Sequence, residues 1–140
     1  MNKNVEIGAF ILRLILGFTF FMHGLDKFQG GIENTAGFFS SIGLPGFLAY
    51  IVGGIELVGG LAVMLGLGTR IISAIFAIIM LGAIIKVKIG NGFLGGYELD
   101  VVLMAIAVYF SLTTTTMLSV DSKLHNRNLL ENEESKKEAL

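Results

Sequence analysis

The stretch GGIELVGG, residues 53–60, decides the fold that the rest of the chain adopts. It places one carboxylate, Glu56, in an apolar segment that is rich in glycine. On a helix, Gly53, Glu56 and Gly60 are separated by three and four residues, so they share one face. Glycines on a helix face let a second backbone approach closely. The stretch therefore predicts a helix that another helix contacts along the face that carries Glu56.

The composition of the chain is that of a membrane protein. Of its 140 residues, 54% are hydrophobic and 15% are charged, and the mean hydropathy of +0.78 is outside the usual range of soluble domains. The lipid bilayer is therefore the expected partner. The formal net charge of −1 leaves no basic surface for nucleic acid.

The cysteine and histidine content restricts the cofactors that the chain can hold. Without cysteine, it forms no disulfide, no cysteine-ligated iron–sulfur cluster and no covalent haem attachment. Its two histidines, His23 and His125, are too far apart in the chain to bind one metal ion inside a bundle. No metal site is predicted.

Four apolar runs predict an all-α membrane protein, a bundle of four transmembrane helices in up-down-up-down order. Each run is near the length of about 20 residues that crossing about 30 Å of hydrocarbon requires. The predicted spans are residues 7–25, 45–67, 70–89 and 99–117. A short amphipathic or re-entrant segment, residues 32–42, follows the first span. Residues 1–119 thus form the transmembrane domain, and residues 120–140 form a charged, solvated tail.

The distribution of lysine and arginine predicts the orientation in the cell membrane. One side of the predicted bundle carries Lys3, Arg70, Lys123, Arg127, Lys136 and Lys137. The other side carries Lys27, Lys86 and Lys88. Because cytoplasmic segments are enriched in positive charge, both termini of this multi-pass protein are expected in the cytoplasm.

Two ionisable residues, Arg13 and Glu56, lie well inside predicted spans. Such residues are costly in a bilayer and need a partner or a wet cavity. Counted from the predicted span ends, Arg13 lies about 9 Å and Glu56 about 15 Å from the inner boundary. Their depths differ by about 6 Å, which an arginine side chain can bridge. The sequence therefore predicts an Arg13–Glu56 pair. It leaves open whether the pair is the floor of a polar pocket or an ion pair that fixes helix register.

A second group of polar residues collects at the outer ends of the spans, below two glycine-rich connections. A concave site with an apolar wall and a few polar groups is the default place for a small ligand. We expect His23 and Glu98 to act with Glu56 as catalytic residues, since an imidazole beside carboxylates can move protons at physiological pH. Lys88 and Asp100, taken singly, are interpreted as groups that reach the membrane interface. The expected substrate-binding residues are Arg13, Lys27, Lys86, Asn91 and Tyr97.

Several motifs together resemble the DoxX family of small four-span bacterial membrane proteins, over about residues 10–105. They are RLILGFTFFMHGLDKFQG at 13–30, GLPG at 43–46, GGIELVGGLAVMLGLGTR at 53–70, NGF at 91–93 and GGYELD at 95–100. The positions that match the family's motifs are Arg13, His23, Gly24, Lys27, Glu56, Gly60, Arg70, Asn91, Gly92, Phe93, Gly96, Tyr97 and Glu98. Relatives often carry a histidine shortly before NGF, where this chain has Lys88. A mechanism that uses two histidines is therefore not expected here.

The resemblance implies a four-helix membrane bundle and work as an oxidoreductase, or as a membrane subunit near quinones, thiosulfate oxidation or oxidative-stress enzymes. Our first hypothesis is a quinone-linked membrane oxidoreductase, or a subunit of one, that binds a menaquinone-like quinone or a phenol in an apolar pocket within the bundle. No side chain of the chain can hold electrons, so a soluble redox partner or a second small molecule must supply them.

Other functions and assemblies stay open on the sequence alone. A midplane carboxylate between glycines also suits a small transporter or exporter of phenols, quinones or sulfur compounds. A non-catalytic membrane anchor for a redox enzyme is a third alternative. The small faces Gly53/Gly60 and Gly59/Gly66 could support a homo-oligomer or be used within one bundle.

Overall fold

The computed structural model describes residues 2–113 and 118–138, and these are helical with short connections and without a strand. Helices account for 88% of these described residues. The regular helices are α1 (Lys3–Gln29), α2 (Ile32–Ser41), α3 (Leu48–Leu65), α4 (Thr69–Ala83), α5 (Glu98–Leu112) and α6 (Val120–Glu138). Between α4 and α5 the chain makes a π-helical turn (Ile84–Lys88), a 3-10 turn (Ile89–Asn91) and a second π-helical turn (Phe93–Tyr97).

Four helical segments are long and apolar enough to cross a membrane, which confirms the predicted all-α membrane fold. They are Lys3–Gln29, Leu48–Leu65, Thr69–Asn91 and Phe93–Leu112. The first segment extends beyond the predicted span 7–25 at both ends, and α2 occupies most of the segment 32–42. The predicted end of the fourth span, residues 114–117, lies outside the described residues.

Helices α1 and α3 pack antiparallel through glycines that face each other. A Cβ atom built on Gly17 would lie 2.6 Å from the carbonyl oxygen of Gly60, and one built on Gly60 would lie 2.6 Å from that of Gly17. A Cβ on Gly24 would collide with the backbone nitrogen of Leu57 and lie 2.9 Å from the carbonyl oxygen of Gly53. Real Cβ atoms essentially never come within 3.0 Å of such atoms, so only glycine fits. These contacts set the register of the two helices.

The α1/α3 pair meets the α4/α5 pair through buried aromatic rings. Phe20 of α1 and Phe76 of α4 stack with their ring centroids 3.7 Å apart and their planes within 5°. A Cβ on Gly59 would lie 3.2 Å from the Phe76 ring, so α3 also packs against this ring. The apolar core continues through Leu16, Val63, Met80, Leu103, Ala107 and Phe110. Burial of these side chains joins the two helix pairs into one bundle.

The end of the bundle at which α6 begins is closed by polar contacts, and we call it the tail end. Arg13 is fully buried there, and its Nη2 donates a hydrogen bond to the carbonyl oxygen of Leu118 at 2.9 Å. The Ser119 hydroxyl donates to the carbonyl oxygen of Gly66 at 2.9 Å, and the Asp121 N–H donates to the same oxygen at 3.1 Å. Beyond these contacts, α6 is largely exposed. The opposite end, which carries α2 and residues 84–97, is the loop end.

The glycine contacts predict a sharp difference between two alanine substitutions on the same helix. Gly60→Ala forces a methyl group against the α1 backbone, so it should lower the free energy of unfolding by about 2 kcal/mol or more. Gly54→Ala is the matched control, because nothing lies within 4 Å of a Cβ there; it should be neutral or stabilising by up to about 1 kcal/mol. Chemical denaturation in detergent micelles measures both. Equal stabilities of the two variants would contradict this packing.

Candidate functional site

Glu56, in the middle of α3, forms an ion pair with Lys27 near the end of α1. The Lys27 Nζ lies 2.6 Å from the Glu56 Oε2. Glu56 is only 3% exposed, whereas the Lys27 side chain remains 21% exposed. The close contact of Gly24 with α3 brings Lys27, one turn later on α1, to the depth of Glu56. The pair thus gives the carboxylate the partner that a charged group inside a span requires.

The predicted Arg13–Glu56 pair is wrong, because the structure gives these residues different partners. The α1/α3 register places Glu56 level with the part of α1 from Gly24 to Lys27. Arg13 lies about 15–20 Å away from that level along α1, at 1.5 Å per residue. The error came from counting depth from the ends of the predicted spans. Helix α1 begins at Lys3 and extends past α3 at the tail end, where Arg13 contacts Leu118.

An open groove of about 400 Å³ lies on the outer face of α1, next to the ion pair. The residues that line it are Phe18, Thr19, Met22, His23 and Asp26. Two of these are large apolar side chains, and three carry polar groups. His23 precedes Lys27 by one helical turn and is close enough to Glu56 for the two groups to interact electrostatically. His23 thus lies in the lining of the groove and one helical turn from the ion pair.

A second ion pair joins the π-helical turn after α4 to the first turn of α5 at the loop end. Lys88 Nζ contacts both carboxylate oxygens of Asp100, at 2.7 and 3.0 Å. Asp100 is 5% exposed, and Lys88 ends the π-helical turn Ile84–Lys88, a type of turn that is frequent at functional sites. From the sequence, each of these two residues is interpreted singly as an interfacial group, whereas the structure pairs them. Opposite charges at the facing ends of consecutive spans are the signal that could have indicated their pairing.

The remaining candidate residues lie in or near the connection before α5. Glu98 is exposed, and its Oε1 accepts a hydrogen bond from the N–H of Gly95 at 3.2 Å, which helps to begin α5. Tyr97 packs edge-on against Phe93, with the ring centroids 5.6 Å apart. Also exposed at the loop end are Asn91 and Lys86.

The structure thus divides the predicted site residues into three places. His23, Lys27 and Glu56 form one cluster beside the groove. The connection before α5 carries Asn91, Tyr97 and Glu98, with Lys86 in the preceding π-helical turn. Arg13 lies at the tail end. Within the described parts of the chain, no group of three or more His, Asp and Glu side chains could hold a metal ion.

The exposure difference within the Lys27–Glu56 pair predicts unequal effects of removing each partner. Lys27→Met leaves a buried carboxylate without its cation, so it should cost about 3 kcal/mol of unfolding free energy. Glu56→Gln leaves an ammonium that water can reach, and it should cost about 1 kcal/mol. The double variant should resemble Glu56→Gln rather than the sum of both.

Denaturation of the three variants in detergent, with Lys86→Met as a control for loss of an exposed cation, measures these effects. Strictly additive losses would show that the two side chains do not stabilise each other in the folded protein.

Comparisons with known proteins agree with this architecture. The DoxX family model matches residues 8–89. The chain is 49% identical over 121 residues to "Putative oxidoreductase CatD" of Bacillus subtilis. The aligned residues make up 86% of this chain and 90% of that protein. The chain is 38% identical over 90 residues to "Uncharacterized membrane protein Rv3486" of Mycobacterium tuberculosis, covering 60% of this chain and 55% of that protein.

A third relative is "Inner membrane protein YqjF" of Escherichia coli, which is 31% identical over 70 residues, 50% of this chain and 53% of that protein. No solved structure matches the chain. The family model covers more than half of the 140 residues and falls on the helices that carry Arg13, His23, Lys27 and Glu56. This chain therefore belongs to the DoxX family of membrane proteins.

Proposed function

We propose that the chain is a membrane oxidoreductase, or the quinone-binding membrane subunit of one, whose substrate ring occupies the groove along α1. The observation that carries this proposal is that a residue of the groove, His23, lies one helical turn from a buried ion pair. Lys27 and Glu56 are 2.6 Å apart, and His23 lines the groove one turn before Lys27. The name of the 49% identical Bacillus subtilis relative supports the oxidoreductase class.

The groove offers groups that a quinone-like ring could contact. Its volume of about 400 Å³ is within the range of small-molecule sites. Phe18 and Met22 offer apolar surface to the faces of a ring. His23 supplies an imidazole N–H that can donate a hydrogen bond to a quinone carbonyl oxygen. Because the groove lies on the outer face of α1, a lipid-soluble substrate could enter it from the bilayer.

The residues around the groove suit the proton transfers of quinone chemistry. Reduction of a quinone to a quinol takes up two electrons and two protons. His23 can pass a proton to one carbonyl oxygen, and Asp26 beside it can relay the second proton or accept one in the reverse direction. The Lys27–Glu56 pair places a cation and a second carboxylate, that of Glu56, near His23. The two electrons come from a reduced flavin or a comparable carrier on a partner protein, since no side chain here holds them.

We also propose that the tail end faces the cytoplasm. The N-terminus, the turn between α3 and α4, and α6 lie at the tail end, and they carry more lysine and arginine than the loop end does. An excess of positive charge favours the cytoplasmic side of a membrane.

The quinone proposal predicts specific losses of binding and turnover. Wild-type protein in lipid nanodiscs should bind a short-chain naphthoquinone saturably in isothermal titration calorimetry. His23→Leu should bind it roughly ten-fold more weakly, because a lost hydrogen bond costs about 1–1.5 kcal/mol. Glu56→Gln should keep most of the affinity but lose quinone reduction in membranes that receive a soluble cell fraction as the source of electrons.

The matched control is Glu33→Gln, which removes an exposed carboxylate from α2 and should change neither measurement. Equal affinities of wild type and His23→Leu would contradict the proposed site. Movement of the quinone into reconstituted vesicles without an electron donor would instead favour a transporter.

The orientation predicts which engineered cysteines a membrane-impermeant maleimide reaches in intact cells. The chain has no cysteine of its own, so Asn91→Cys and Ser135→Cys report separately on the loop end and the tail. Labelling should occur at position 91 in intact cells and at position 135 only after the membrane is opened. The reverse labelling pattern would show that the loop end, rather than the tail end, faces the cytoplasm.

A further inference from the structure

A layer of fully buried apolar side chains separates Glu56 from the tail end of the bundle. The Phe76 ring packs against Gly59, which lies one turn from Glu56 toward the tail end, and it stacks on Phe20. All four spans contribute to this apolar layer. Its members, each exposed by 1% or less, are Leu16, Phe20, Val63, Phe76, Ala107 and Phe110. A close-packed apolar layer leaves no space or partners for water.

The start of α6 closes the tail end a second time. A Cβ on Gly66 would lie 2.8 Å from the Cα of Ser119, so this segment rests directly on the end of α3. The Ser119 hydroxyl bonds to the carbonyl oxygen of Gly66, and Arg13 bonds to that of Leu118. Val63 is only the third residue from the end of α3, yet it is 0% exposed. Water at the tail end is therefore excluded within one turn of the end of α3.

The cover over Glu56 is thinner on the side of the loop end. Lys27 lies in the last turn of α1 and is 21% exposed, and its Nζ reaches Glu56. A Cβ on Gly53, one turn from Glu56, would lie 3.2 Å from the Phe28 ring and 3.3 Å from Cδ1 of Ile32. Phe28 is itself 39% exposed, and each residue of α2, which Ile32 begins, is at least partly exposed. The side chains that cover Glu56 on this side therefore lie at the surface themselves.

We infer that the Lys27–Glu56 pair exchanges water and protons with the loop end and is closed to the tail end. An ammonium group has three N–H donors and is strongly hydrated, so Lys27 can bond to Glu56 and to water together. The apolar layer consists of side chains that carry no proton. This access does not depend on what the groove binds. Its consequence for quinone chemistry, that protons enter and leave at the loop end, rests on the proposed function.

Labelling of single cysteines tests this access, because the chain contains no cysteine. The probe is 2-sulfonatoethyl methanethiosulfonate, a small anion that does not cross membranes. Glu56→Cys is compared with Val63→Cys, seven residues later on the same face of α3. Glu56→Cys should react at least about ten-fold faster with reagent at the loop end than at the tail end, and Val63→Cys should give only background from either side, since close packing excludes the reagent.

Reference variants define the two sides and guard against loss of the fold. Asn91→Cys and Ser135→Cys report on the loop end and the tail in intact cells and in inside-out vesicles, whichever way the protein lies in the membrane. Lys27→Cys combined with Glu56→Gln removes both charges of the pair. It should show the same preference for the loop end, so the access is tested even where Glu56→Cys does not fold.

A further pair of variants tests the cover on the loop side. Phe28→Ala added to Glu56→Cys removes the ring that lies against Gly53, and it should raise the rate of labelling from the loop end by about three-fold or more. The matched control is Phe47→Ala, which removes a ring that is 62% exposed just before α3 and should leave the rate unchanged.

Equal rates from the two sides would overturn the inference, as would labelling of Val63→Cys as fast as that of Glu56→Cys. Failure of both probes of the pair to react from the loop end would overturn it too. An unchanged rate in the Phe28→Ala variant would refute the cover. Labelling is measured without quinone, so a failure of quinone binding leaves its result intact and distinguishable.

Discussion

The close backbone contact between α1 and α3 is the constraint on which the rest of the structure depends. Apolar side chains gain little by moving from lipid to another helix, so helices in a membrane associate mainly through tight packing and hydrogen bonds. Gly17, Gly24 and Gly60 permit that packing, because a Cβ on any of them would overlap the facing backbone. The glycines recur after seven residues on each helix, so they fix the crossing angle together with the register.

The register decides which charged groups meet. Lys27 reaches Glu56 because Gly24 holds its part of α1 against the middle of α3. A shift of one residue would turn each side chain by about 100° around its helix and separate the two charges. Desolvation can cancel the attraction between buried charges, but Lys27 keeps part of its contact with solvent, which lowers that cost. The pair can therefore persist in the membrane while it remains close to the groove.

The fold could be predicted from the sequence because each span is a local property. Long apolar runs of the necessary length identify the four membrane helices, and the pattern of residues 32–42 identifies α2. The site depended on the register of α1 against α3, which cannot be derived from the lengths of the apolar runs. The glycines determine this register, but the sequence alone does not say which glycine of α1 faces which glycine of α3. For this reason Glu56 was assigned to Arg13 rather than to Lys27, and the Lys88–Asp100 pair was interpreted as two separate groups.

The two buried charges of the α1/α3 pair serve different purposes because their surroundings differ. Arg13 is fully buried and donates to a backbone carbonyl of the segment that begins α6, so it holds parts of the fold together at the tail end. Glu56 is held by a side chain that remains partly solvated and that lies one turn from an exposed imidazole. A proton can move only where donors and acceptors can exchange partners, and the partly solvated Lys27 beside Glu56 suits that requirement better than the fully buried Arg13 does. The chemistry of the chain is therefore best sought at Lys27 and Glu56.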